Sequence, residues 1–150
     1  MNPKDIKIFY ALDDTESAIL TIYGEARGET FEGKQAVALV IANRAEQWGK
    51  TIRGVCYAKN QFSCYSSKDK NYPLLLSIAE DFDSAMQTNK ALQECSQAWH
   101  DETKEVEVLI DGATFYKVKG AHNPWFDRQI DKGVLVKVAE IEHHEFYKEV

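Results

Sequence analysis

The sequence predicts an α+β fold, a single domain over residues 1–150 that is helical in its N-terminal two-thirds and carries a small antiparallel sheet toward the C-terminus. Apolar residues recur at helical spacing as far as His100. After Glu105 the character changes, and "VEVLIDGATFYKV" and "VLVKVAEIE" are rich in the β-branched residues that favour strands. No internal repeat, low-complexity tract or linker divides the chain.

The elements follow in order. Asp13 with Glu16 three residues on forms a capping-box pattern. Ala18, Ile19, Ile22, Tyr23 and Ala26 then keep helical spacing, which predicts a first helix over Asp14–Ala26 with Gly28 as its stop. A second helix is expected after Gly33. Its segment "QAVALVIANR" is apolar almost all round, the mark of a central buried helix ending in Asn43 and Arg44. A helical turn around Thr51–Tyr57 leads into the polar loop "AKNQFSCYSS". Pro73 suits a helix N-terminus, and from it to His100 the pattern is helical, with Leu92, Cys95 and Trp99 on one stripe. Val106 onward reads as strand. In "VLVKVAEIE" the residues Val134, Val136 and Val138 alternate with Leu135, Lys137 and Ala139 at an imperfect period of two.

Composition narrows the function. The 150 residues are long enough to bury a sizeable core. The net charge of −6 and the absence of a basic block argue against a nucleic-acid partner. No apolar run reaches the roughly 20 residues that span a bilayer, so no membrane partner is expected. The opening "MNPKDIKIFYALDDTES" lacks a signal peptide's apolar segment, which points to synthesis in the cytoplasm. Cys56, Cys64 and Cys95 are an odd count without zinc spacing. Reduced, partly buried thiols are expected, although Cys56 and Cys64 could in principle pair. The four histidines are too scattered to require a metal, and no cofactor is implied.

Six blocks, "TIYGEARGE", "GKQAVALVIANR", "TIRGVCYAKNQFS", "GATFYK", "NPWF" and "IEHHEFY", stand in one register from about residue 18 to 147. In that order they resemble the SleB/CwlJ-type cell wall hydrolases, peptidoglycan-cleaving enzymes of the spore cortex that also occur in bacteriophages. The resemblance implies a compact lysozyme-like domain and places the one catalytic glutamate at Glu25. It also implies lytic transglycosylase chemistry: cleavage of the β-1,4 bond between N-acetylmuramic acid and N-acetylglucosamine, leaving a 1,6-anhydro end. The expected partner is then the peptidoglycan glycan strand, met by a monomer that acts on the wall after a phage-lysin-like release. Two departures stand out. The family pattern is closer to "GATHYH", so Phe115 and Lys117 replace two histidines; His144 aligns with a family histidine in "IG-x-H-x-FY", but Glu142 replaces the glycine.

The residue chemistry is compatible with that implication. Most glycosidases pair an acid with a second carboxylate. A lytic transglycosylase needs one, because the sugar's own 6-hydroxyl attacks C1 and returns its proton to the same group. Glu25 suits the task if it starts protonated near neutral pH. Its neighbours Gly24 and Ala26 are small, and Tyr23 is a candidate apolar wall beside it. Glu29, four residues on, either supports Glu25 as a second carboxylate or caps the next segment, while Glu32 reads as solvated. Arg44 is expected to brace a carboxylate or helix-end carbonyls rather than touch sugar. For sugar contact the candidates are Phe62 and Ser63 in the loop, Thr114 and Tyr116 on one side of a strand, and Trp125, which either forms a platform or locks its loop. Two rival readings stay open: a hydrolytic muramidase with Glu29 as second carboxylate, and a non-catalytic peptidoglycan-binding or virion module.

Overall fold

The computed structural model describes residues 1–101 and 103–150. Helices α1 (Pro3–Tyr10), α2 (Asp14–Ala26), α3 (Phe31–Trp48) and α4 (Ile52–Cys56) come first, followed by a 3₁₀ turn at Ser63–Tyr65. Helices α5 (Tyr72–Glu80), α6 (Phe82–Thr88), α7 (Lys90–His100) and α8 (Lys104–Ile110) complete the helical part. Strand β1 (Phe115–Val118), helix α9 (Pro124–Asp131) and strands β2 (Leu135–Ile141) and β3 (His144–Glu149) close the chain. The sheet is antiparallel in the order β1-β3-β2, with Tyr116 opposite Phe146 and Val118 opposite His144. The α+β architecture is as expected from the sequence.

Helix α2 begins where the capping box puts it: Asp13 accepts from the Glu16 N–H at 2.8 Å, and Glu16 accepts from the Asp13 N–H at 3.0 Å. Helix α3 starts earlier than expected. The Thr30 hydroxyl accepts from the Gly33 N–H at 3.2 Å, so the glycine lies in the first turn rather than before it. The helix also runs past Arg44 to Trp48, where Gly49 ends it at φ 62°.

As its all-round apolar character implied, α3 is central. Val37 and Ile41 join Phe9, Leu20, Ile22, Leu75 and Leu92 in the main core, while Ala36 and Val40 face Val106, Ile110 and Phe146 in a second. Each fully buried aliphatic side chain contributes roughly 1.5–3 kcal/mol. An exposed ion pair gives about 0–1 kcal/mol. Apolar packing on both sides of α3 therefore holds the helices to the sheet.

Three expectations are corrected. The segment Val106–Ile110 is helix α8, not strand: Val106 and Ile110, four apart, are buried against α3, while Val108 and Leu109 are exposed. A packed helical face overrides β-propensity there. The helical stretch from Pro73 to His100 is three helices, because Asp81 and Asn89 adopt non-helical backbone and cap α6 and α7 with their side chains. Helices α1 and α9 were not foreseen, although Asn2-Pro3 and Asn123-Pro124 start both with the same cap.

Candidate active site

Helix α2 ends beside a cleft of about 980 Å³ between the helices and the sheet. Gly24 and Glu25 form one wall with Phe62 and Ser63, and Phe115, Tyr116, Trp125 and His144 form the other. A volume of this size holds ligands larger than one sugar ring. Among the described lining residues Glu25 is the one carboxylate.

Two contacts fix Glu25. The Tyr116 hydroxyl donates to Oε1 at 2.5 Å, and the Cys64 backbone N–H approaches Oε2 at 3.4 Å. Burial, and then the Glu25 charge beside it, hold the Tyr116 phenol well above its ordinary value, so it stays protonated. The Cys64 thiol is pushed well up by the same two causes.

The 3₁₀ turn that carries Phe62 and Ser63 into the cleft is fastened under α2 by the Tyr65 hydroxyl, 2.7 Å from Thr21 Oγ1. Gly24 makes that approach possible. A Cβ there would stand 2.8 Å from Cys64 Sγ and 2.9 Å from Leu75 Cδ1. The small residue expected to admit substrate is thus required first by packing from below.

Arg44 lies under the cleft floor, 3% exposed. Its Nε donates to the Thr114 carbonyl at 2.5 Å, and its guanidinium rests over the rings of Trp48, Phe62 and Phe115 at 4.8–5.2 Å. The acceptor is thus a carbonyl just before β1, not the carboxylate or helix-end carbonyl expected. Burial draws its pKa down, and Nη1 has no hydrogen-bond partner among the described residues.

The cleft brings together five of the eight residues proposed from the sequence: Glu25, Phe62, Ser63, Tyr116 and Trp125. Trp125, 40% exposed, lines the cleft and also stacks on Phe115 at 5.2 Å, so platform and lock are compatible. The other three lie outside it. Tyr23 is two residues from Glu25, about 200° around the helix; its hydroxyl accepts from Asn89 at 3.3 Å. Thr114 is fully buried just before β1, and its hydroxyl donates to Glu149 at 2.7 Å. Glu29 turns to the β2–β3 turn, taking the His143 N–H at 3.0 Å and meeting its ring Nδ1 at 2.8 Å.

Sequence reasoning missed Trp48, Asn60, Gln61, Asn123 and Phe126 as lining residues. The Asn123-Pro124 helix start was the available signal for the last two. The replaced family histidines are also accounted for. Phe115 packs between Trp48 and Trp125, and Lys117 pairs with Glu145 at 2.9 Å.

Known proteins place this geometry. The chain aligns with the catalytic domain of the SleB protein from Bacillus cereus, with a TM-score of 0.57, 21% identity and coverage of 90% of this chain and 89% of that one. It aligns likewise with the catalytic domain of the germination-specific lytic transglycosylase SleB from Bacillus anthracis, with a TM-score of 0.62, 21% identity and coverage of 90% and 93%. These likenesses show the shared fold. A spore cortex-lytic enzyme of Oceanobacillus iheyensis is 39% identical over 56 residues, 36% of this chain and 20% of that protein, so the chain spans about a fifth of its curated relative. The cell wall hydrolase family model matches residues 28–147. Glu25 stands just ahead of that segment, and its place in the cleft comes from the end of α2. With the family model covering most of its length, the chain belongs to the cell wall hydrolase family.

Proposed function

We propose that the protein is a lytic transglycosylase that cuts the β-1,4 bond between N-acetylmuramic acid and N-acetylglucosamine, with Glu25 as acid and then base. The observation that carries this reading is that Glu25 is the one carboxylate among the described residues lining the cleft. Both oxygens of Glu29 are engaged at the β2–β3 turn, which disfavours the two-carboxylate arrangement of a hydrolytic muramidase.

Tyr116 donates to Oε1 at 2.5 Å, whereas the Cys64 N–H meets Oε2 only at 3.4 Å, so Oε2 is the oxygen that carries the proton. Glu25 gives that proton to the glycosidic oxygen as the C1–O bond breaks. The muramyl 6-hydroxyl then forms a C1–O6 bond and returns its proton to Glu25. The products are a 1,6-anhydro end and a free 4-hydroxyl, with no water consumed and Glu25 restored.

Trp125 offers a ring face to the sugars, Ser63 a hydroxyl, and Tyr116 its phenol beside the reacting carboxyl, while Phe62, 4% exposed and stacked on Arg44, backs the cleft wall. One catalytic domain over residues 1–150, acting as a monomer, is part of the proposal. Action at the wall after a phage-lysin-like release is part of the proposal.

The test is Glu25→Gln together with product analysis. The variant should fold and lose lysis, and mass spectrometry of murein digested by the parent should show 1,6-anhydro-muramyl ends. Reducing muramyl ends would make the enzyme a hydrolase. Binding without released fragments would make it a non-catalytic module.

A further inference from the structure

Glu29 lies at the α2–α3 junction with its side chain only 9% exposed. Its partner is remote in sequence: the turn after β2, where Glu142 adopts φ 52° and the His143 N–H and Nδ1 meet Oε1 and Oε2. The next residue, His144, is 6% exposed. Its Nδ1 stands 3.5 Å from Glu29 Oε1, and its ring centroid is 4.8 Å from that of Tyr116. Tyr116 in turn holds Glu25.

These contacts close a circuit. From Glu25 the backbone leads to Glu29, whose carboxylate holds the turn. The turn presents His144, His144 packs on Tyr116, and Tyr116 returns to Glu25. A nearly buried carboxylate is a costly anchor for a surface turn unless its geometry serves something else. The Tyr116 ring also contacts Phe146 at 5.7 Å, and the His144 and Phe146 rings are themselves 6.1 Å apart. His144 and Phe146, two apart on β3, together back the Tyr116 ring.

We propose that Glu29 and His144 are positioning residues that hold the Tyr116 hydroxyl on Glu25, so that the carboxyl faces the bond to be cut. This rests on Glu25 as the acid. Misplacement of a reacting group by an ångström lowers turnover by up to about a hundredfold. Binding of the sugar along the rest of the cleft is left intact, so kcat falls while KM stays.

The experiment measures kcat and KM of the full chain on soluble glycan strands released from purified peptidoglycan. Glu29→Gln keeps an acceptor for the His143 N–H but removes the charge. His144→Phe keeps a ring over Tyr116 but removes Nδ1. Each should lower kcat roughly tenfold, with KM within about twofold of the parent. The double variant should lose about tenfold again in total, not a hundredfold, because both act through one chain of contacts.

Parent-like kcat in both single variants, or losses that multiply as for independent sites, would overturn the proposal. Should a buried variant not fold, His143→Ala carries the same test, since that ring is 68% exposed and its loss leaves the core intact. A lowered kcat at unchanged KM supports the circuit, and parent kinetics overturns it. If Glu25→Gln itself retained activity, the assignment of the acid would fail instead, a result distinct from any of these.

Discussion

The hydroxyl of Tyr116 on β1 meets the carboxylate of Glu25 at the end of α2 at 2.5 Å, across 91 residues of sequence. It is the contact by which the sheet reaches the reacting group. A hydrogen bond to a charged group is worth about 1.5–3 kcal/mol.

Tyr116→Phe should therefore lower kcat by roughly ten- to a hundredfold, while the ring packing on Phe146 and the melting temperature are nearly retained. Steady-state kinetics beside thermal unfolding checks this. An unchanged kcat would show that the phenol only fills space.

Gly24→Ala forces a methyl against Cys64 Sγ and Leu75 Cδ1. Overpacking of this kind costs about 1–3 kcal/mol, against roughly 1 kcal/mol gained in helix propensity. Urea unfolding should show a net loss of stability, accompanied by reduced lysis as the Cys64 turn is pushed from Glu25. A stabilised variant would contradict the packing described.

Arg44→Lys keeps the charge but loses the Nε donor to Thr114 and the flat group lying over three rings. A loss of about 1.5–3 kcal/mol is expected in chemical denaturation.

The Glu29–His143 contact predicts a pH window. Burial raises the Glu29 carboxyl, but the His143 hydrogen bonds outweigh it, and the folded value lies below the ordinary 4.5. Its stabilisation is present above about pH 4.5 and is lost as pH falls through the folded value. His143 is raised above 6.5 by its bond to Glu29, so its contribution is full below 6.5 and lost as pH rises through the folded value. His144 is lowered by burial and has the opposite sign, with stability declining as pH falls below 6.5. Denaturation midpoints across pH 4–9 should show that His143→Ala removes the decline on the alkaline side and leaves the His144 decline. Identical profiles for parent and variant would contradict this.

Cys56, Cys64 and Cys95 are all free and buried, and burial pushes the Cys56 and Cys95 thiols up to about 12. An aromatic disulfide reagent at pH 8 should react with no thiol in the native protein and with all three in denaturant. Rapid reaction of the native protein would show that these sites open.

Local signals in the sequence were read well where they act within one turn or one face. The Asp13–Glu16 box, the all-round apolar α3 and the β-branched run of β2 each declare themselves over a few residues, whereas the expected alternation in β2 breaks at the register shift between Lys137 and Ala139. The strand expected at Val106–Ile110 failed because only the packing of α8 on α3 tells that segment which period to adopt. The cleft side of Glu25 was legible through its motif. The work of Glu29 was not, because its partner His143 is 114 residues away and nothing local marks the pair. Tyr23 and Thr114 were misplaced for a related reason: a helix turn and a buried cap decide which way they face.

The cleft's two walls come from opposite ends of the chain, α2 near the start and β1 and β3 near the finish. Helical contacts of short sequence span form early in folding, whereas closures of this length come late. An emerging polypeptide thus has Glu25 in place well before it has the wall that carries Tyr116. On the proposed function, lytic competence is gained only when the last strand docks.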